Sequence, residues 1–208
     1  MNRVRQIITV FNELVERLAP LLLLNFAFFV TALPVITAGA AFAAVDEMCF
    51  ELLEEGRYPA LLSRYFQAFR RHFKHGTGVW MVFQFILVDV WLILWYYGGI
   101  RVLLHPVLSL ALFLLALVFA FLHVWIFPLI AQREKGVLCS LKAAFFLSVT
   151  RYKKTLLCLL QSALLFVLTA ICPLLLLTCF SSTAYLHCRI LRADLRNYAE
   201  KGITAMVE

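Results

Sequence analysis

The chain has 208 residues, 63% of them hydrophobic and only 15% charged, whereas a soluble domain is nearer half apolar and a quarter charged. A globule of this size cannot bury so much apolar surface, so an aqueous fold is excluded. The formal charge of +7, from 19 Lys+Arg against 12 Asp+Glu, is scattered between apolar stretches without interleaved stacking aromatics, which points to membrane orientation and anionic headgroups and not to nucleic acid.

The N-terminal tail carries an apolar stripe at helical spacing, Val4, Ile7, Ile8, Phe11, Val15 and Leu18, as expected of an amphipathic helix. Arg3 and Arg5, the apolar run after them and Ala41-Phe42-Ala43 imitate a signal peptide. Glu13 and Glu16 fall inside that leader and the apolar run starts only at residue 18, so no cleavage is expected.

Leu18–Val45 contains no charged residue over 28 positions, enough to cross a hydrocarbon layer that takes about 20 helical residues. Pro34 and Gly39 divide the stretch into Leu18–Leu33 and a second helix, Ile36–Leu53. Asp46, Glu47 and Glu51 load the inner half of that second helix, so it is expected to be the weak member, a partial or re-entrant span buried against its neighbours.

Residues 60–74 come next, with Tyr65, Phe66, Phe69 and Phe73 on one side of a helix and Arg64, Arg70, Arg71 and Lys74 on the other. This pattern predicts an interfacial helix lying in the headgroup plane, with Phe66, Phe69 and Phe73 turned to lipid or to the underside of the bundle. Val79–Ile100 is apolar except for Asp89, and Val102–Gln132 has no charge over 31 residues. A poorer stripe follows at Leu141, Phe145, Ser148 and Tyr152. Thr155–Cys188 is uncharged over 34 residues and would reach about 51 Å as one helix, too long for one span. Pro173 and Ser181-Ser182-Thr183 divide it in two.

These elements define an all-α, polytopic helical membrane protein with five to six membrane-embedded helices plus amphipathic interfacial helices, in a single membrane domain. Three units emerge, 1–56, 57–136 and 137–208, each an amphipathic helix followed by a hairpin. They are either true repeats or convergent lipid-facing patterns. With six embedded helices, 18 of the 19 Lys+Arg fall on one side and only Arg101 on the other, which predicts cytoplasmic termini and cytoplasmic 54–76 and 133–154 loops.

Three passages, in order along the chain, resemble the YesL-like family of bacterial membrane proteins: Leu33-Pro34-Val35-Ile36-Thr37-Ala38-Gly39 with the Ala-rich run after it, Tyr65-Phe66-Gln67-Ala68-Phe69-Arg70-Arg71-His72-Phe73-Lys74, and Phe127-Pro128-Leu129-Ile130-Ala131. The position after Gly39, where the resemblance leads one to expect Pro, is Ala40. The resemblance implies a bacterial cell-membrane protein that accompanies carbohydrate-uptake systems, and it brings no catalytic residues with it.

Intramembrane ionisable groups are costly and are functional candidates by default. Counting along the helices from the ends of the uncharged stretches puts Asp89 and His123 within about 4 Å in depth, close enough for a carboxylate–imidazole pair. Asn25, Gln84, Glu47 and Gln161 map to the same inner half. Such a layer is either a polar pocket open to the cytoplasm or a set of interhelical hydrogen bonds that specify packing.

The six cysteines, Cys49, Cys139, Cys158, Cys172, Cys179 and Cys188, form no CxxC or metal-ligand spacing and read as reduced apolar residues. No hydrolase, zinc-protease, Walker or Rossmann motif occurs. His123 and His187 fall at different predicted depths, which argues against a haem pair. No enzyme activity, metal or cofactor is expected. The expected function is a non-catalytic membrane accessory or scaffold protein whose partners are the lipid bilayer and another membrane protein such as a sugar transporter. The alternative is a small-solute transporter or channel built on the Asp89/His123 layer.

Overall fold

The computed structural model describes residues 19–55, 60–96, 106–132, 137–172 and 176–200. The N-terminal stripe from Val4 to Leu18, together with Arg57, Arg101, Arg133, Lys135, Pro173 and Lys201, lies outside the described residues. Every regular element among those described is helical: α1 (Ala19–Ala32), a 3-10 turn (Val35–Thr37), α2 (Ala38–Glu55), α3 (Leu61–Tyr96), α4 (Pro106–Gln132), α5 (Val137–Thr150), α6 (Tyr152–Ile171) and α7 (Leu176–Glu200). Three segments are long and apolar enough to cross a membrane: Leu61–Ile93, Leu110–Gln132 and Tyr152–Ile171. Ala19–Ala32 and Leu138–Thr150 are shorter apolar helices.

The core forms around α2, which packs against α3, α4 and α7. Ala40, Ala41, Ala43 and Ala44 are fully buried, and side chains this small let helices approach closely. The matching face of α3 is Leu61, Tyr65, Ala68, His72, Gly76, Val79 and Phe83, spaced three or four apart and buried throughout. Gly76 sits where the two helices cross. A Cβ on it would meet Ala40 Cα and the Gly39 carbonyl oxygen at 2.8 Å, and a Cβ on Gly39 would collide with Gly76 and Trp80.

The expected break at Pro34 is present, and its turn shows how a hairpin tip survives in an apolar medium. The Thr37 amide donates to the Pro34 carbonyl (2.8 Å), the Thr37 hydroxyl donates to the Thr31 carbonyl (2.6 Å), and the Trp80 indole N–H donates to the Val35 carbonyl (2.7 Å). Backbone polar groups freed at the turn are thus satisfied within the protein, as lipid requires. The tip itself is apolar and bare, Leu33 being 81% exposed. Beyond Trp80, α3 continues to Tyr96, roughly 24 Å at 1.5 Å per residue. The α1–α2 hairpin therefore turns back far short of the Tyr96 end of α3.

Two expectations change. No separate interfacial helix exists at 60–74, because the segment is the first half of the unbroken 36-residue α3. Two glycines, Gly76 and Gly78, fall at the junction, and Gly76 is held by its crossing with Gly39. The inward face is Tyr65, Ala68 and His72, whereas Phe66 and Phe73 are each 43% exposed and Phe69 packs only partly on the core. In the second loop an independent helix does form, α5, which parts from α6 at Arg151. It turns the small residues Ser140, Ala143, Ala144 and Ser148, with Leu147, into the bundle and leaves Phe145 exposed; Tyr152, the first residue of α6, is exposed as well. Small side chains permit tight packing against α4, so of the expected stripe Ser148 is buried, Leu141 is half-buried, and the aromatic members Phe145 and Tyr152 are exposed. The long uncharged stretch is split, with α6 ending at Ile171 and α7 starting at Leu176.

Candidate functional site

The acidic half of α2 is the most polar part of the core, and four of its five carboxylates, Asp46, Glu47, Glu51 and Glu54, meet a neighbouring helix. Glu47 takes a hydrogen bond from Arg71 (2.7 Å) and shares one with His72 Nε2 (2.6 Å). Glu51 pairs with Arg64 at 3.4 Å, and Glu54 pairs with Arg192 at 3.2 Å and Arg196 at 3.8 Å. Asp46 is buried and accepts the Cys188 thiol at 3.7 Å, with no ion-pair partner among the described residues. The half-buried Glu47–Arg71–His72 group, with its hydrogen bonds made, is the strongest of these, since paired buried charges cost most when one partner is lost. The exposed Glu54 pairs are worth little.

A second set ties α6 and α7 to α4. Asp194 is buried against Lys154 (2.5 Å) and Arg151 (3.4 Å). The Trp125 indole donates to Thr155 Oγ1 at 2.8 Å. His187 Nε2 lies 2.9 Å from Ser162 Oγ and 3.1 Å from the Cys158 carbonyl, and Ser162 Oγ donates to that same carbonyl at 2.9 Å. All six cysteines are free thiols. Among the described residues no group of three or more His, Cys, Asp or Glu is arranged to hold a metal ion.

The polar layer expected from helix counting does not assemble as one site. Asn25 is buried and accepts the Ser181 amide at 3.4 Å, joining α1 to α7. Glu47 belongs to the α2–α3 cluster. Gln161 is half-buried, and its side-chain nitrogen has no hydrogen-bond partner. Gln84 is half-buried on α3. His123 meets the rings of Phe42 and Phe127 edge-on, at centroid distances of 5.5 and 5.2 Å. It also lies within electrostatic reach of His187, although their predicted depths differ.

Asp89 and His123 are not a pair. Phe42 packs against both His123 and Trp80, which places His123 near the level of Trp80. Asp89 lies nine residues further along α3, roughly 13 Å at 1.5 Å per residue. Counting from the ends of uncharged stretches assumed that both helices enter the membrane at one plane, and the ring contacts set a different register. Asp89 is exposed, with no hydrogen-bond or ion-pair partner among the described residues. A carboxylate so placed in lipid costs roughly 3 kcal/mol on insertion scales.

Of the residues that organise the core, helix spacing could have revealed His72, which falls on the Leu61–Tyr65–Ala68 face. Asp194 with Lys154, and Cys188 with Asp46, join helices distant in sequence and carry no local signal.

The architecture is that of a helical membrane protein built on a short, acidic, nearly buried helix. Residues 21–98, from α1 through α3, match the sequence profile of a family described as "Protein of unknown function, DUF624". The match covers just over a third of the chain, including the Pro34 turn, the Gly39–Gly76 crossing and the Glu47–His72 pair. No curated protein and no solved structure matches the chain.

Proposed function

We propose that this chain is a non-catalytic accessory or scaffold protein of the bacterial cell membrane, associated with a carbohydrate-uptake system. The observation that carries the reading is the fate of the α2 carboxylates. Glu47, Glu51 and Glu54 are engaged in pairs with α3 and α7, an arrangement suited to specifying packing, and among the described residues no group of three or more His, Cys, Asp or Glu converges. The carbohydrate context comes from the YesL-like resemblance. Two of its three passages, Leu33–Gly39 and Tyr65–Lys74, fall within the matched residues 21–98. Both termini and the two basic loops are assigned to the cytoplasm because 18 of the 19 Lys+Arg then share one side.

Solute transport through a layer of Asp89 and His123 needs both groups in one pocket, and their separation along the bundle argues against it. The test is purification in mild detergent from native membranes, with cross-linking mass spectrometry, beside solute flux in vesicles holding the purified protein alone. The accessory reading expects a stoichiometric membrane partner and no flux. Sugar flux by the isolated protein would overturn it. Cysteine labelling of intact cells tests the orientation, and strong external labelling at position 57 or 142 would reverse it.

A further inference from the structure

We infer that the outer half of α3 is a docking surface for a transmembrane helix of another protein, one that carries a Lys or Arg at the depth of Asp89. The inference rests on the accessory reading and names the contact it requires. Val82, Phe85, Asp89, Leu92 and Tyr96 follow one another at three- and four-residue steps, so they form one stripe along the helix, and all five are exposed. An open apolar hollow of about 320 Å³, lined by Leu92, Ile93, Trp95 and Tyr96, continues the stripe toward the outer end of α3. A helix seated there would bury side chains that lipid also accepts, so apolar contact gives little preference for protein over lipid.

Asp89 supplies the preference. Ionisable groups inside membranes almost always face protein or water and are paired, yet Asp89 faces outward and has no partner among the described residues. The complementary group is a cation at equal depth. A second copy of this chain does not offer one: 79–100, 102–132 and 155–188 contain no Lys or Arg, and the exposed His123 lies roughly 13 Å away along the bundle axis. The occupant is therefore a different chain with a basic residue inside its span, and pairing relieves the cost to both helices.

The test uses the full chain in phosphatidylcholine vesicles, with a donor fluorophore near the outer end of α3. The probes are synthetic 22-residue Leu/Ala helices carrying a central Lys, Leu or Glu and an acceptor. The Lys helix should associate at least about tenfold more tightly than the Leu helix, a difference of about 1.4 kcal/mol. Asp89→Asn should abolish the difference, and Asp89→Lys should transfer the preference to the Glu helix. Equal association of the Lys and Leu helices with the unaltered protein would overturn the inference. So would Asp89-dependent energy transfer between differently labelled copies of this chain, which would make the surface a self-contact. Because Asp89 faces outward, Asp89→Asn should leave thermal unfolding in detergent unchanged, separating lost binding from lost folding. In native membranes, a photo-cross-linker at position 85 or 92 should capture the partner, while one at 164 on α6 should not. If the partner cross-links only at the basic end, through 64 or 192, this surface is refuted and the accessory reading stands. If there is no partner at all, the vesicle experiment still decides the surface on its own.

Discussion

Around α2 the protein provides its own solvent: Glu47 faces Arg71 and His72, Asp46 faces Cys188, and the alanines of α2 are closed off by α3, α4 and α7. Toward the far ends of α3, α4 and α6 the helices expose Trp95, Phe113, Phe166 and Ile171 over most of their surface, and lipid must take the place that neighbouring side chains take at α2. The same chain thus uses two kinds of packing. Around α2, where helices pack most closely, it adds charges and hydrogen bonds to the apolar contacts. Where its sequence is most apolar it joins them hardly at all, because lipid and leucine offer a helix much the same environment. High hydrophobicity therefore marks the part of this protein that is exposed, the reverse of the rule for a soluble fold.

The comparison breaks most easily at the Gly39–Gly76 crossing. Gly39→Val and Gly76→Val each force side-chain atoms into occupied backbone space, and each should cost about 3 kcal/mol, the upper end for overpacked cores. The readout is the midpoint of thermal unfolding in detergent, together with the monodisperse fraction on size exclusion. Unchanged unfolding of Gly76→Val would mean that α2 and α3 do not meet there.

The buried cluster gives the next effect. Glu47→Leu leaves His72 buried without its carboxylate and Arg71 without its anion, and should cost about 3 kcal/mol as a broken buried pair. Glu54→Leu, losing only surface pairs, should cost no more than about 0.5 kcal/mol. Denaturant titration of the two variants side by side measures the contrast, and equal losses would show that burial does not set the strength of these pairs.

Most of the architecture could be read from the sequence because its signals are local. Pro34 and Gly39 announce a turn, the uncharged stretches announce apolar helices, and the carboxylates of the second helix announce a member that does not cross alone. What could not be read is how helices stand relative to one another. Arg64 and Arg71 looked like a lipid-facing basic surface, because the glutamates that bind them lie 13 and 24 residues earlier. Asp89 and His123 looked level, because helix counting carries no information on which ring stacks on which. The continuity of α3 through Gly76 was hidden for the same reason, since a glycine in a helix costs about 1 kcal/mol relative to alanine unless a partner such as Gly39 needs it.

A smaller effect is expected at the Pro34 turn. Trp80→Phe keeps the ring but removes the donor to the Val35 carbonyl, leaving a backbone acceptor unsatisfied in an apolar setting. The cost should be about 1.5 kcal/mol, and amide hydrogen exchange should rise at residues 36–39 but not in α6. Uniform exchange across the molecule would mean that this bond does not hold the tip.

The smallest effect sharpens the outer half. Phe166 on α6 is 75% exposed, so Phe166→Ala removes a large apolar side chain that touches little protein. Its contacts are with lipid or detergent, and they persist in the unfolded state within the membrane, so the loss cancels between the two states. The expected change in unfolding free energy is within about 0.5 kcal/mol, although burying a phenylalanine can contribute up to about 3 kcal/mol. Trp125→Ala on α4 is the counterpart, because that indole is fully buried and bonded to Thr155; it should cost about 4 kcal/mol. Unfolding in phosphatidylcholine bicelles compares the two directly. A Phe166→Ala loss approaching that of Trp125→Ala would show that the Ile171 end of α6 is packed against protein, and the division into a self-solvated half around α2 and a lipid-solvated half beyond it would then fail at that helix.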